Sequence, residues 1–260
     1  MKNSLKIILI VFLSFGIYFV LDDLYFKELR NWMNGILNQL GISHIITYLI
    51  SGLPLFLGTY ILFRKEPILK SLGLYGSIIK GFLFALICTL PLFIGFSFIF
   101  EINPEISVNK ILIAVVSAGF FEELYFRGFL FGLLYKYTKL GFVPAVFLGA
   151  LIFGLIHLYQ STNISELIGI FLITFLGGLI FAWVYAEWKF NLWTAIFLHM
   201  LINFSWELFD VSDNALGGIY GNVFRFLSIV LVFGLTILYK KRKKLQLEVN
   251  KRTLWIKKHP

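Results

Sequence analysis

Apolar residues along this chain of 260 residues fall in long runs that short polar segments interrupt. The runs are about 17 to 25 residues long, which is the length at which a helix crosses the hydrocarbon core of a bilayer. Strands would be about half as long and would alternate apolar with polar residues. We therefore predict helical membrane spans at eight places, near residues 4–20, 45–63, 78–100, 110–135, 143–160, 166–186, 190–209 and 222–239.

The polar segment after the first run has apolar residues at helical spacing. The pattern predicts an amphipathic helix lying in the membrane interface, and a helix in an extramembrane loop is the alternative. The first run itself lacks the small-residue cleavage pattern of a signal peptide, so we interpret it as a retained membrane anchor. The helically spaced residues are Tyr25, Leu29, Trp32, Met33, Ile36 and Leu40.

Composition indicates that lipid is the solvent. Hydrophobic residues make up 59% of the chain and charged residues 14%, whereas soluble domains carry about 25% charged residues. Backbone N–H and C=O groups in lipid must be bonded within their own segment. The predicted fold is therefore all-α, a polytopic membrane helix bundle with about eight transmembrane helices. The single cysteine, Cys88, falls inside a span and is interpreted as a small core residue.

Lys and Arg residues are concentrated in alternate loops, which predicts the orientation of the chain. With both termini in the cytoplasm, the outside loops contain only Lys27, Arg30 and Lys110, and nine basic residues lie in the tail at residues 240–260. The net charge of +9 then reflects topology and contact of the basic tail with anionic lipids, and no nucleic-acid partner is expected. A composition rich in Lys, Ile, Phe and Asn suggests a bacterial plasma membrane.

Few ionisable or strongly polar side chains lie inside the predicted spans. A charge in mid-membrane costs about 2.5 to 3.5 kcal/mol on insertion scales, so such residues usually face the bundle interior and mark function. Two other histidines, His44 and His259, fall in a loop and in the tail, where we expect no special role. The residues inside spans are Glu122, Glu123 and Arg127 in the fourth, His157 in the fifth, and His199 with Asn203 in the seventh.

The spacing of the charged residues in the fourth span suggests separate roles. Glu123 and Arg127 are four residues apart, so in a helix they lie on one face and can form an ion pair. Glu122 is turned by about 100° from Glu123 and can point elsewhere. This favours a structural ion pair beside a free carboxylate at Glu122. The alternative is that all three residues only hold helices together.

Three short motifs follow one another on three spans. They are Glu-Glu-x-x-x-Arg at residues 122–127, Phe-x-x-x-His at 153–157 and His-x-x-x-Asn at 199–203. In the second and third motifs the two defining residues are one turn apart on a helix face. Together the motifs resemble the signature of the CAAX protease and bacteriocin-processing family of intramembrane endopeptidases, with every signature position filled. The resemblance covers roughly residues 78 to 210.

The resemblance implies a division of the chain and a role for each motif residue. Residues 1–77 would form N-terminal membrane spans and the interfacial helix, 78–210 the protease core, and 211–260 the last span and the basic cytoplasmic tail. In similar proteins Glu122 and His157 would activate water for attack on a peptide carbonyl. His199 and Asn203 would then stabilise the oxyanion. Structural support would come from Glu123, Arg127 and Phe153.

Two alternatives stay open for mechanism and function. Glu122, His157 and His199 form a His₂Glu set of the kind that binds catalytic zinc, although no helix carries two of them one turn apart. The resemblance favours a mechanism without metal or other cofactor. A non-enzymatic membrane protein for bacteriocin immunity or transport would use the same polar groups for binding. The expected partner is a membrane-associated peptide or protein substrate.

Overall fold

The structure, a computed structural model, describes residues 2–257, with side chains from residue 4 onwards, so His259 lies outside it. Helix accounts for 77% of the chain, and the described residues form no strand, which confirms the all-α prediction. The elements are α1 (Lys2–Leu37), α2 (Leu40–Ser51), α3 (Leu53–Leu62), α4 (Ile68–Ser71), α5 (Ile78–Ile99), α6 (Val108–Lys110), a π-helix (Ile111–Phe131), α7 (Gly132–Tyr137), α8 (Phe142–Ile156), a 3₁₀ turn (Leu158–Gln160), α9 (Ile164–Glu187), α10 (Leu192–Leu208) and α11 (Ile219–Arg242).

Hydrogen bonds between loops define two ends of the bundle. At one end the backbone N–H of Asn103 donates to the carbonyl of Leu208, and at the other the N–H of Leu192 donates to the carbonyl of Gly73. The chain crosses between these two ends eight times, and we call each crossing a pass. We call the first end, with the loops at 38–39, 100–107, 157–163 and 209–218, the loop end. The second, with the loops at 63–77, 138–141 and 188–191 and the C-terminal tail, is the tail end.

Six stretches are long and apolar enough to cross a membrane, by length and composition. The remaining two passes, the π-helix with α7 and then α10, carry most of the buried polar groups of the three motifs. The chain is thus an integral membrane protein, and a total of eight spans stays a prediction. The six stretches are Ser4–Leu37, Leu40–Leu62, Ile78–Ile99, Phe142–Gln160, Ile164–Glu187 and Ile219–Arg242.

Helix α1 runs without a break to Leu37, so the helix predicted after the first apolar run is the continuation of α1 and not a separate element, and its position in the membrane interface stays a prediction. No proline interrupts the sequence after the first apolar run, so the backbone hydrogen bonds continue. The helix ends before Asn38, which adopts the left-handed conformation with φ of 50°. At 1.5 Å per residue its 36 residues span roughly 54 Å, so α1 is longer than the hydrocarbon core is thick.

The second pass consists of two helices where one was predicted. α2 and α3 meet at Gly52, and Pro54 lies in the first turn of α3. Proline is tolerated there because the N–H that it lacks would have no acceptor within the helix. His44 lies inside α2, not in a loop as predicted, and its ring packs edge to face against Phe26 and Tyr48.

The pass with the two central glutamates is a π-helix over Ile111–Phe131, where an α-helix was expected. A π-helix bonds each N–H to the carbonyl five residues back, as the N–H of Gly132 bonds the carbonyl of Arg127. This hydrogen-bond pattern is rare and occurs mostly as single-turn bulges inside α-helices, often at functional sites. The sequence does not reveal the change of period, because every residue from 123 to 131 is buried and no polar face marks the turns.

Aromatic rings join the N-terminal helices to the π-helix. Tyr18 of α1 meets Tyr125 edge to face with centroids 5.0 Å apart, and Tyr48 of α2 stacks on Phe121 at 5.1 Å. The Tyr125 hydroxyl also donates a hydrogen bond to the Tyr48 carbonyl. These side chains belong to one hydrophobic cluster that continues into α7, α8, α9 and α10. The N-terminal helices and the motif-bearing helices therefore share one core.

Beyond α11 the chain folds back onto the tail end of the bundle. The backbone N–H groups of residues 141–143, at the start of α8, donate to the carbonyls of residues 253–255. Because the first N–H groups of a helix have no acceptor within it, the tail caps α8. Gly141 makes this contact possible, since an added Cβ would lie 2.4 Å from the carbonyl carbon of Trp255.

Glu187, the last residue of α9, holds the tail at a second place. Its fully buried carboxylate accepts hydrogen bonds from the N–H groups of Glu248 and Val249 at 3.0 and 2.9 Å, and it pairs with Lys240 at 2.8 Å. These partners satisfy the buried charge. The tail is therefore an ordered part of the bundle up to residue 257, and its contact with anionic lipids stays a prediction.

Candidate active site

Three passes bring the motif residues to one part of the bundle interior. The π-helix and α10 approach closely at Gly119, where an added Cβ would lie 2.6 Å from the Cγ of Met200. Small residues permit such approach between helices in lipid, and here a carboxylate of one helix reaches an imidazole of the other. The π-helix contributes Glu122, Glu123 and Arg127, α8 contributes Phe153 with His157 at its end, and α10 contributes His199 and Asn203.

Glu123 lies at the centre of a buried charged group. Its Oε1 is 2.8 Å from Nδ1 of His199 and 3.2 Å from Nη1 of Arg127. Glu123 is 0% exposed and Arg127 2% exposed. The contact with Arg127 is an ion pair without hydrogen-bond alignment, since neither Nη atom has an acceptor among the described residues. The spacing of four residues thus brings acid and base together, and a histidine from a second helix completes the group.

Aromatic rings surround the guanidinium group of Arg127. Its Cζ lies 4.2 Å from the ring centroid of Phe153, 5.5 Å from that of Phe181 and 6.0 Å from that of Phe126. A cation over an aromatic face is attracted by the ring quadrupole, by about 2 kcal/mol where water is excluded. Phe153 therefore connects α8 to the ion pair of the π-helix.

Glu122 has a different environment from its neighbour Glu123. Its Oε2 lies 3.9 Å from Nε2 of His199, which is beyond hydrogen-bond distance, and has no hydrogen-bond partner among the described residues. Its side chain is 17% exposed, against 0% for Glu123. The Glu123 carboxylate is thus engaged by His199 and Arg127, whereas the Glu122 carboxylate is unengaged and its side chain is partly exposed.

His157 is the C-terminal capping residue of α8, and its own helix orients its ring. Nδ1 lies 2.7 Å from the carbonyl oxygen of Phe153, one turn back. Because a carbonyl only accepts hydrogen bonds, Nδ1 carries the proton and Nε2 of the neutral ring is left as an acceptor. No hydrogen bond joins His157 to Glu122 in the part of the chain that the structure describes.

Asn203 connects α10 to the first turn of the π-helix. Its Nδ2 donates a hydrogen bond to the carbonyl of Ala114 at 2.8 Å. This bond fixes the orientation of the amide. A primary amide has two N–H donors, so one donor remains for another acceptor.

The site lies towards the loop end of the bundle. His157 is at the end of α8 opposite the one that the tail caps. Ala114, the partner of Asn203, is the fourth residue of the π-helix, which begins at the loop end. The candidate site and the docked tail therefore lie at different depths in the bundle.

The donor atoms for a zinc ion do not converge in this conformation. No three His, Cys, Asp or Glu side chains within residues 4–257 gather closely enough to hold a metal ion. Nδ1 of His199 is engaged by Glu123, and Nδ1 of His157 by a backbone carbonyl, which leaves Nε2 of each ring free for a metal ion but does not bring the two rings and Glu122 together. A zinc site from Glu122, His157 and His199 would need at least one of these side chains to move.

Two contributors to the site were missed by the sequence interpretation. Phe181 of α9 lies over Arg127 and also 5.5 Å, centroid to centroid, from the ring of His199. The carbonyl of Ala114 is the acceptor for Asn203. One phenylalanine among 30 carries no signal of its own, and a backbone carbonyl carries none in any sequence.

Comparison with known proteins indicates a protease. Residues 104–205 match the family model described as Type II CAAX prenyl endopeptidase Rce1-like, and this segment contains all three motifs. The matched segment, 102 of the 260 residues, is thus similar to the CAAX protease and bacteriocin-processing family, and in general to intramembrane endopeptidases of the CAAX type. No curated protein and no solved structure matches the chain.

Proposed function

We propose that this protein is an intramembrane endopeptidase that hydrolyses a peptide bond of a membrane-associated peptide or protein, with water activated by Glu122 and His157 and without a metal ion. The observation that carries the proposal is the meeting of the three motifs. Glu122 and Glu123 face His199, and Phe153 lies over Arg127, although the motifs are up to 81 residues apart, from 122 to 203. The family match supports the same class of reaction.

Glu122 is the proposed general base because its carboxylate is the unengaged one. As the water oxygen attacks the carbonyl carbon, Glu122 accepts a proton from that water. His157 offers Nε2 as an acceptor and orients the same water. The proton then passes from Glu122 to the leaving nitrogen as the C–N bond breaks, so no serine or cysteine nucleophile is required.

His199 and Asn203 are the proposed donors to the oxyanion. Asn203 uses one amide N–H for Ala114 and keeps the second for the developing negative charge. His199 already donates from Nδ1 to Glu123, so it can donate from Nε2 only when both ring nitrogens carry a proton. Two carboxylates, one guanidinium group and one imidazolium group would then sum to a neutral cluster, which suits a site in lipid.

The test compares the peptides released by membranes that contain the intact protein, Glu122→Gln or Glu101→Gln. Glu101 is exposed in a loop, so its substitution is a matched control for the loss of one carboxylate. We expect product peptides from the intact protein and from Glu101→Gln, and none from Glu122→Gln at equal protein amount. Identical products from all three would contradict the proposal and favour the non-enzymatic alternative.

A further inference from the structure

A cleft with basic walls opens at the tail end of the bundle, remote from the motif residues. Its volume is about 620 Å³, and it lies between the first turns of α1 and the end of α3. Lys6 lines it from α1, and Arg64 and Lys65 line it from the loop that follows α3. The rest of the lining is Ile61, Leu62, Phe63 and Glu66.

The cations of the cleft lack partners of opposite charge. None of Lys6, Arg64 and Lys65 forms an ion pair with an acidic group of the described residues. Glu66, the one acid of the lining, is engaged with Lys70 at 2.6 Å, and this hydrogen bond raises the pKa of Lys70 above its ordinary value. The cleft therefore presents three uncompensated positive charges.

The apolar part of the cleft is continuous with the lipid-facing surface of the same helices. Ile61 of the lining is exposed, and so are Leu57 one turn before it and Leu9 on α1. The floor is firm, because the ring of Phe63 packs against Tyr137 of α7 with centroids 4.3 Å apart. Leu9 is one turn from Lys6 and Leu57 one turn from Ile61, so exposed apolar side chains of α1 and α3 continue the lining of the cleft, and we call this set of side chains the apolar groove.

We propose that this cleft binds one phosphate-bearing anion, the headgroup of an anionic phospholipid whose acyl chains lie in the groove between α1 and α3. Three cations line the cleft in which the headgroup would sit, and the N-terminal turn of α1 adds the positive end of its helix dipole. Basic pockets between membrane helices are suited to such headgroups. A free phosphate ion would satisfy the cations but would leave the apolar groove unused. The proposal does not depend on the proposed protease activity.

The experiment measures retention of phosphatidylglycerol on the full chain, purified in detergent, by native mass spectrometry. A triple variant, Lys6→Gln with Arg64→Gln and Lys65→Gln, removes the cleft cations. Its matched control, Lys80→Gln with Lys139→Gln and Lys189→Gln, removes the same charge from exposed positions at the same end of the bundle, outside both the cleft and the basic tail. We expect the cleft variant to bind phosphatidylglycerol about 100-fold more weakly, since each cation near an anionic lipid contributes about a fivefold factor. The control variant should bind as the unmodified chain does.

Two further arms identify the source of the phosphate. Phosphatidylcholine, which has no net charge, should be retained much less than phosphatidylglycerol. Inorganic phosphate should not displace the bound lipid, because it makes no contact with the groove. Equal loss in both triple variants would overturn the proposal in favour of diffuse electrostatic attraction. Displacement of the lipid by inorganic phosphate would overturn it in favour of a simple anion site.

Discussion

Glu122 and Glu123 are adjacent in sequence, yet the same substitution should affect them differently. Glu123→Gln leaves the guanidinium of Arg127 buried without its counter-charge. Breaking such a pair costs about 3 to 5 kcal/mol, a large part of the 5 to 15 kcal/mol that typically separates folded from unfolded protein. We expect much less folded protein for Glu123→Gln and a normal amount for Glu122→Gln, measured by size-exclusion chromatography of detergent extracts. Equal losses in both variants would contradict the separate roles.

Asn203 tests the oxyanion proposal, because a donor of this kind acts only when charge develops. Asn203→Ala should lower kcat by about 10²- to 10³-fold while KM changes little. Steady-state kinetics on a peptide substrate would measure both constants, with the amount of folded protein as a control. A loss that appears only in KM, or only in the amount of folded protein, would argue for a binding or structural role.

The zinc alternative gives His199 a different role. As a zinc ligand it would be essential for metal content, whereas in the proposed mechanism the purified protein holds no stoichiometric zinc. We expect full activity after dialysis against a strong chelator, and no zinc by elemental analysis of either the intact protein or His199→Ala. Loss of activity on chelation that added Zn²⁺ restores, with about one metal per chain, would replace the glutamate mechanism by a metalloprotease mechanism.

At the scale of the element, the contact of the tail with the start of α8 depends on one glycine. Gly141→Ala places a methyl group against the backbone of Trp255, so the carbonyls of residues 253–255 should lose contact with the start of α8. We expect faster tryptic cleavage after Lys251 and Arg252, which are exposed, measured by mass spectrometry of the fragments. Gly177→Ala, in α9 with open space around it, is the matched control and should leave the cleavage rate unchanged.

An unchanged cleavage rate in Gly141→Ala would mean that the tail tolerates the added methyl group. In that case the contacts of Glu187 with residues 248 and 249 would be the main attachment of the tail. Tryptic cleavage after Lys251 and Arg252 should then be faster in Glu187→Gln than in the unmodified chain.

At the scale of the whole molecule, the eight passes predict that the loops at 138–141 and 209–218 lie on opposite sides of the membrane. Cys88 is buried and is the only cysteine, so Cys88→Ala gives a background for labelling. In it, Lys139→Cys marks the tail end and Asp213→Cys the loop end, and both positions are exposed. We expect an impermeant thiol reagent to label Asp213→Cys in intact cells and Lys139→Cys only after permeabilisation.

Labelling of both positions from one side would contradict the eight-pass count. Labelling of Lys139→Cys alone in intact cells would keep the count and reverse the orientation inferred from the basic residues. In the expected orientation His157 and Asn203 lie nearer the outer surface, because both are close to the loop end. A substrate would then reach the site from outside the cytoplasm or from the outer leaflet.

Long helices and the set of motif residues could be predicted from the sequence because both depend on local signals. Apolar runs of span length mark helices whatever their neighbours are, and charges inside such runs stand out because lipid penalises them. The starts and ends of the helices could be predicted from the sequence less well. The break at Gly52 and the continuity of α1 through residue 37 both follow from how neighbouring helices and loops satisfy the backbone, which a hydropathy pattern does not record.

The sequence by itself determined that the chain is a membrane helix bundle, that Glu123 and Arg127 can pair, and that three motifs could form one site. Only the tertiary structure decided that His199 joins Glu123, that Phe181 covers Arg127, that the π-helix replaces an α-helix and that the tail caps α8. The physical reason is range. Periodicity and composition act over one helical turn or one membrane thickness. The contacts named above join residues that are 54 or more positions apart, and residues 123–131 of the π-helix are buried on all sides. Many packings of the same helices would satisfy the local rules equally well.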